Sequence, residues 1–530
     1  MDNSKNLSTA AGFVQRVNGY MQQFERCFTP RRILWFCAIF LLLHAAFALI
    51  FNTQIYRDVA GAYAWYAREF GRGIWHDVPI SQLPPLNIFI AGLLVRCGIE
   101  SYAALIMLAT LFMGLSLWPL YRLLKLFVSA QSAAWGCLLF VLAPKTLRFA
   151  GCGLLELTRD FFLLLAIYML FSSFRTNRRF YFYLLFGAVL GLLTLARGEG
   201  IVMAAAVAAG LLLRPAGDYK SLRLIGKNIL LPVLLTAIAG LAVIAPVLVK
   251  NYHVTGYPVV DARMIGVFKH IPVVNKYFTP RLEPVKVAIN EDGVITENAI
   301  AYDDARAHLH RLKRLPGNLF RGAYELYMVF ALLGIVLLIA GKKWQREYTF
   351  LIVYSLLVTA SFVFFSVAYR YFIFYIPLFM VFTLTGLSWV LQQSRKLHLQ
   401  GLLGAAAAAV FIMQIFNAWG WMLDSYGRKE IAMGRYIKQH RNEFLPPGCS
   451  RALRVHCDVR IMYYCNENRL LHYAEPIPPV EKISGFDVLI LNKRKDQAGY
   501  TICSQRSDLT EHGSPLPEFA IFVPEKASCQ

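Results

Sequence analysis

The residues of this chain able to do chemistry are acids and bases placed at the edges of long apolar runs. Arg57 and Asp58 follow the first run, and Lys145, Arg148, Glu156, Arg159 and Asp160 stand between the third and the fourth. Arg197 and Glu199 separate the fifth from the sixth, Lys250, Asn251 and Tyr252 follow the seventh, and Arg370 and Tyr371 open the tenth. A charge costs about 2.5–3.5 kcal/mol at the centre of a membrane helix and less at the interface, so such placement is informative. One or two carboxylates can take the proton of an attacking hydroxyl or amine, and several cations can stabilise a departing phosphate. Asp58 begins a helix-compatible stretch whose positive end keeps a carboxylate ionised, which makes it the leading general base. Glu156 is the second acid, suited to orienting an acceptor or to ligating a metal. Arg148, Arg197, Lys250 and Arg370 are the candidate phosphate holders, with Arg57, Lys145, Glu199, Asn251, Tyr252 and Tyr371 completing the binding set.

Plainer readings stand beside these. Asp58 could be a helix-start acid paired with Arg57, and a lone arginine at a span end usually snorkels to headgroups. Arg159 and Asp160 read as a structural pair and stay off the catalytic set, as do Tyr63, Trp65 and Trp75, which suit interfacial anchoring.

The elements that must position these residues are membrane helices. The 530 residues are 57% hydrophobic, against roughly 45–50% in soluble globular chains. Apolar segments near the length of a span fall at about 32–51, 101–125, 130–145, 157–174, 180–196, 199–213, 227–249, 321–340, 348–368, 370–392 and 400–421. Eleven spans with a cytoplasmic N-terminal tail (1–31) put Arg122 and Lys125, Arg175 to Arg179, Arg214 to Lys227, Lys342 to Arg346, and Arg395 and Lys396 inside, as the positive-inside rule requires. The net charge of +22 is therefore topological, and a nucleic-acid partner is excluded because no single basic patch forms.

The same count places loops 52–100 and 250–320 and the tail 422–530 outside. In the first loop, aromatic and charged residues from Tyr63 to His76 alternate as in an interfacial helix, and Leu86 to Leu94 is too short to span. The tail carries short strand-like runs, Leu453 to His456, Val488 to Leu491 and Phe519 to Val523, suggesting a small α/β domain. Ten cysteines show no CxxC pair, so a structural zinc site is not expected.

The order of these motifs resembles the GT-C superfamily of membrane glycosyltransferases, particularly the bacterial relatives of protein O-mannosyltransferases (glycosyltransferase family 39-like) and of the aminoarabinose transferase that modifies lipid A. Arg57-Asp58, the stretch Ala67 to Gly73 and Pro84-Pro85-Leu86 are similar to the family's first loop. Pro144 and Glu156 before Phe161 to Leu170 resemble the segment with its second acidic residue, and LLTLARGEG (192–200) its Arg-x-Glu-Gly turn. Ala245-Pro246, Lys250-Asn251-Tyr252 and Gly256-Tyr257-Pro258 match a further segment, and Arg370-Tyr371 before Pro377 a late Arg-Tyr motif. The resemblance covers residues 33–392 and implies a polytopic all-α bundle with external-face catalysis. It also implies a polyprenyl-phosphate sugar donor and inverting displacement with Asp58 as base, on an acceptor that could be lipid, glycan or protein. Val59 replaces the family's usual acidic neighbour and Lys250 its commoner arginine. The first leaves a divalent metal as an open cofactor, and the second turns a bidentate fork into a point charge. The alternative reading is a transporter or flippase of a lipid-linked anion, which would use the same cations without a base.

Overall fold

The computed structural model describes residues 29–52, 56, 59–73, 85–175, 179–213, 222–260, 288–289, 295–296, 305–365, 369–396, 400–423, 425–444, 455–456, 488–493, 503–505, 509–512 and 514–524. Helix α1 (Pro30–Phe51) starts where Thr29 accepts the Arg32 amide, with Pro30 in the first turn, where its missing N–H costs nothing. A π-helical turn (Val59–Tyr63) runs into α2 (Ala64–Gly71), which packs on α3 (Pro85–Arg96). Helix α4 (Ser101–Leu124) is capped by Glu100, whose Oε2 accepts the Ala103 amide at 2.8 Å.

Helices α5 (Ala130–Leu142) and α6 (Pro144–Gly151) bend by 55° at Ala143, because the residue before a proline is driven out of the helical region. Helix α7 (Glu156–Arg175) is buried along most of its length against α4 and α8 (Phe180–Ala196), and α9 (Gly200–Ala209) follows. Helix α10 (Leu231–Thr255) lies along α8. An amphipathic helix, α11 (Ala305–Ala323), meets α12 (Glu325–Ala340) at 95°. Then come α13 (Arg346–Phe365), a 3-10 turn (Tyr369–Phe372), α14 (Met380–Lys396), α15 (Gln400–Met422) and α16 (Ser425–Gln439).

Helix occupies all eleven expected segments, though not as eleven unbroken spans. Among the described residues four helices are long and apolar enough to cross a membrane, or up to seven if each bent pair is one span. Shorter apolar helices include α3, α8 and Gly200–Leu213. The outward faces are apolar, with Trp35, Leu42, Ile50, Leu356 and Phe416 exposed, as expected of surface that meets lipid rather than water. The chain is a multi-pass membrane protein.

Beyond α16 a four-stranded sheet has the order β3 (Val455–His456), β4 (Val488–Asn492), β6 (Phe519–Pro524), β5 (Leu509–His512), and a separate two-residue hairpin pairs β1 (Ala288–Ile289) with β2 (Ile295–Thr296). Side chains alternate across the sheet. Val488, Ile490, Phe519 and Ile521 pack on Met433 and Ile437 of α16, while Leu489, Leu491, Ala520 and Phe522 gather with Cys503 on the other face.

Candidate functional site

Helix α7 opens with ELTRD, and in this first turn and a half Glu156, Arg159 and Asp160 are all buried. Isolated charges there would be prohibitive, so each finds an opposite charge. Arg159 Nη2 lies 2.8 Å from Asp160 Oδ1, and its Nη1 donates to Glu199 Oε1 at 3.3 Å and to the Tyr371 carbonyl at 3.1 Å. Arg197, in the turn between α8 and α9, donates through Nε to Glu199 Oε1 at 2.9 Å and through Nη1 to Glu156 Oε1 at 3.1 Å. Burial opposes its charge, but the Glu199 and Glu156 carboxylates outweigh that and hold its pKa above the ordinary arginine value. Arg370 Nε stands 3.8 Å from the same Glu156 oxygen, and its Nη2 donates to the Tyr371 hydroxyl at 3.2 Å. The Arg197 and Arg370 guanidinium groups lie 5.0 and 5.1 Å from the Tyr371 ring centre.

Five of the residues singled out from sequence, Glu156, Arg197, Glu199, Arg370 and Tyr371, thus meet, although they come from three separate stretches of chain. Arg159 and Asp160, read as a structural pair, do pair, and Arg159 also ties that pair into the cluster through Glu199 and Tyr371. The signal for this was helical spacing, since Glu156, Arg159 and Asp160 share one side of α7. Arg57 and Asp58 lie outside the described residues. Their neighbours border the cluster, with the Tyr56 ring 5.6 Å from the Arg370 guanidinium and Tyr63 within the electrostatic reach of Arg197. Two carboxylate oxygens of the cluster, Glu156 Oε2 and Asp160 Oδ2, have no hydrogen-bond partner among the described residues. No three His, Cys, Asp or Glu side chains converge as a metal cage among the described residues.

The other candidates have contacts elsewhere. Lys145 Nζ is 3.3 Å from Glu325 Oε2, and the Arg148 guanidinium lies 3.7 Å from the Trp421 ring centre. Both sit on α6, whose Phe149 ring lies tilted with its centre 6.2 Å from that of Tyr369, next to Arg370. Asn251 donates to the Val259 carbonyl at 2.7 Å, pinning the turn at Gly256, whose φ of 80° suits glycine. Lys250 and Tyr252 flank Asn251 near the end of α10.

Three close approaches hold the cluster in place. A Cβ on Gly200 would meet the Leu193 carbonyl at 2.2 Å, so only glycine lets the turn carrying Arg197 and Glu199 fold back on α8. A Cβ on Gly322 would meet the Tyr369 carbonyl at 2.4 Å, so glycine lets α11 press on the turn carrying Arg370. His44, buried in α1, donates through Nε2 to the Leu147 carbonyl at 2.9 Å and accepts from Trp419 Nε1 at 3.2 Å, bolting α1, α6 and α15 together.

A buried set of arginines and carboxylates thus lies at one end of an apolar helical bundle. The bundle has the GT-C-like fold that the motif order led us to expect. It is similar to ArnT from Cupriavidus metallidurans bound to undecaprenyl phosphate, with a TM-score of 0.59 at 12% identity over 93% of this chain and 98% of that one. The apo form of the same protein gives 0.58 at 13% identity over 92% and 97%. No protein-family model and no curated protein sequence matches the chain.

Proposed function

We propose that the chain is a membrane glycosyltransferase that takes a sugar from a polyprenyl-phosphate donor on the outer face of a bacterial inner membrane. The observation that carries this reading is the convergence of Arg197, Arg370 and Glu156 beside Tyr56, the neighbour of the Arg57-Asp58 pair. The fold adds support, because ArnT, an aminoarabinose transferase, has been seen with undecaprenyl phosphate bound. In this reading Asp58 takes the proton of an acceptor hydroxyl or amine. The acceptor atom attacks the anomeric carbon, the carbon–oxygen bond to phosphate breaks, and the lipid phosphate leaves with inversion at the sugar.

Arg370 is the cation best suited to the departing phosphate. Its side chain is 13% exposed and its approach to Glu156 is the longest of the cluster, whereas Arg159 is fully enclosed and serves as scaffold. Arg57, Arg148, Arg197 and Lys250 add positive potential, and Glu156, itself enclosed, orients the acceptor by setting the positions of Arg197 and Arg370. Lys145, Glu199, Asn251, Tyr252 and Tyr371 shape the surrounding pocket. The N-terminal tail is cytoplasmic, and the sheet after α16 belongs to an external α/β domain.

Purified protein supplied with radiolabelled polyprenyl-phosphate sugars tests the proposal. Release of free polyprenyl phosphate is the expected result, while intact donor moved across a vesicle membrane would make the chain a transporter. Asp58→Asn should abolish release at normal membrane levels of the protein, and a fully active variant removes Asp58 from the mechanism.

A further inference from the structure

The end of the bundle away from the ion cluster carries a second feature. Helix α4 runs from Ser101, beside Asn52 and Tyr102, to Leu124, and α7 runs from Glu156 to Arg175. Arg175 Nη2 donates to the Leu126 carbonyl at 2.9 Å, so both helices finish together at that far end. There, between the start of α1 and the finish of α4, lies a groove of about 610 Å³ walled by Arg31, Leu34, Trp35, Ala38 and Tyr121.

We propose that this groove holds one acidic glycerophospholipid, its phosphate between Arg31 and Lys125 and an acyl chain along Leu34 and Ala38. Lys125 Nζ lies 5.6 Å from the ring centre of Tyr121, which brings its charge to the groove wall. Arg31, Arg32 and Arg122 are exposed at the same level, and the Arg122 guanidinium is 6.0 Å from the Trp118 ring centre. The acidic residue of this end among the described residues, Glu347, already lies 3.7 Å from Arg346. Trp35 is 61% exposed on a helix long enough to cross the membrane, where an indole settles at headgroup depth. A soluble anion would need the cations alone. Cations above an apolar floor and beside an interfacial tryptophan match a molecule that carries both a phosphate and a hydrocarbon chain.

Native mass spectrometry of the full chain, delipidated and then titrated with phosphatidylglycerol or phosphatidylcholine, tests the proposal. Phosphatidylglycerol should be retained and phosphatidylcholine should not. Retention should weaken about fivefold for each charge removed in R31Q/K125Q and persist in R31K/K125R. Equal retention of the two lipids by the unmodified chain overturns the proposal, whether or not the variants fold. So does undiminished binding by R31Q/K125Q, or a dimer of the chain appearing in place of the lipid adduct.

Discussion

Arg159, Arg197 and Arg370 face Glu156, Asp160 and Glu199, so the described cluster carries no net charge. That balance explains how so many ionised groups survive burial, and it separates two kinds of arginine. Removing Arg197 would leave the Glu156 and Glu199 carboxylates short of their shared cation, a loss of about 3–5 kcal/mol for a broken buried pair. Removing Arg370 takes away a longer, partly exposed contact and leaves the Arg197 bridges standing. Arg197→Ala should therefore lower the melting temperature of the detergent-solubilised protein sharply. Arg370→Ala should melt close to the parent while its glycosyl transfer falls about 10²–10³-fold, the range for losing one donor to a developing anion. The reverse pattern would exchange their roles. The residue types were legible in the sequence, because charged side chains beside apolar runs are rare and costly. The pairing was not, because partners such as Arg159 and Tyr371 are separated by 212 positions and meet only through the packing of several helices.

At the scale of elements, run length and hydropathy placed the helices, since a span must satisfy its own backbone. The bends at Ala143 and at Tyr324 were not read, because hydropathy is blind to direction. Helix α11 was also missed inside the expected loop 250–320, although Leu315 and Leu319 recur at helical spacing and pack on the core. This helix offers a controlled test of how the site is held. Gly322 faces the Tyr369 carbonyl at a distance that forbids a Cβ, whereas a Cβ on Gly317 of the same helix meets nothing within 4 Å. Gly322→Ala should push α11 off the Tyr369–Phe372 turn, destabilise the protein by about 1–3 kcal/mol, and weaken donor binding through displaced Arg370. Gly317→Ala should stabilise it slightly, by about 0.4–1 kcal/mol, because alanine surrenders less chain freedom in a helix. Melting curves with donor titration for the two variants decide the matter, and equal effects would mean that α11 does not position the site.

Over the whole molecule the short links between spans differ in charge from one end to the other, and that difference bears on the proposed orientation. One end gathers Arg31, Arg32, Arg122, Lys125, Arg175, Lys342, Lys343 and Arg346, with Arg346 lying over Phe174 in the last turns of α7. The other carries the balanced ion cluster and the Lys145–Glu325 bridge, together with the basic helix α11, whose Arg311, Lys313, Arg314 and Arg321 lie in or just after the long 250–320 loop rather than in a short link between spans. Lys and Arg in short links between spans are retained on the cytoplasmic side, which supports the proposed orientation with the cluster outward and the start of α1 inside. Cys97 provides a natural reporter. It is an exposed free thiol at the end of α3, three residues before the Glu100 cap of α4 and on the helix whose Asn87 donates to the Ala196 carbonyl beside Arg197. In a background without other cysteines, Cys97 should react in intact spheroplasts with a maleimide that cannot cross membranes. K343C in the same background, without Cys97, should react only after permeabilisation. If labelling is reversed, the cluster opens to the cytoplasm. An extracytoplasmic donor would then be out of reach, and the proposed transfer chemistry would have to run on a carrier presented from inside.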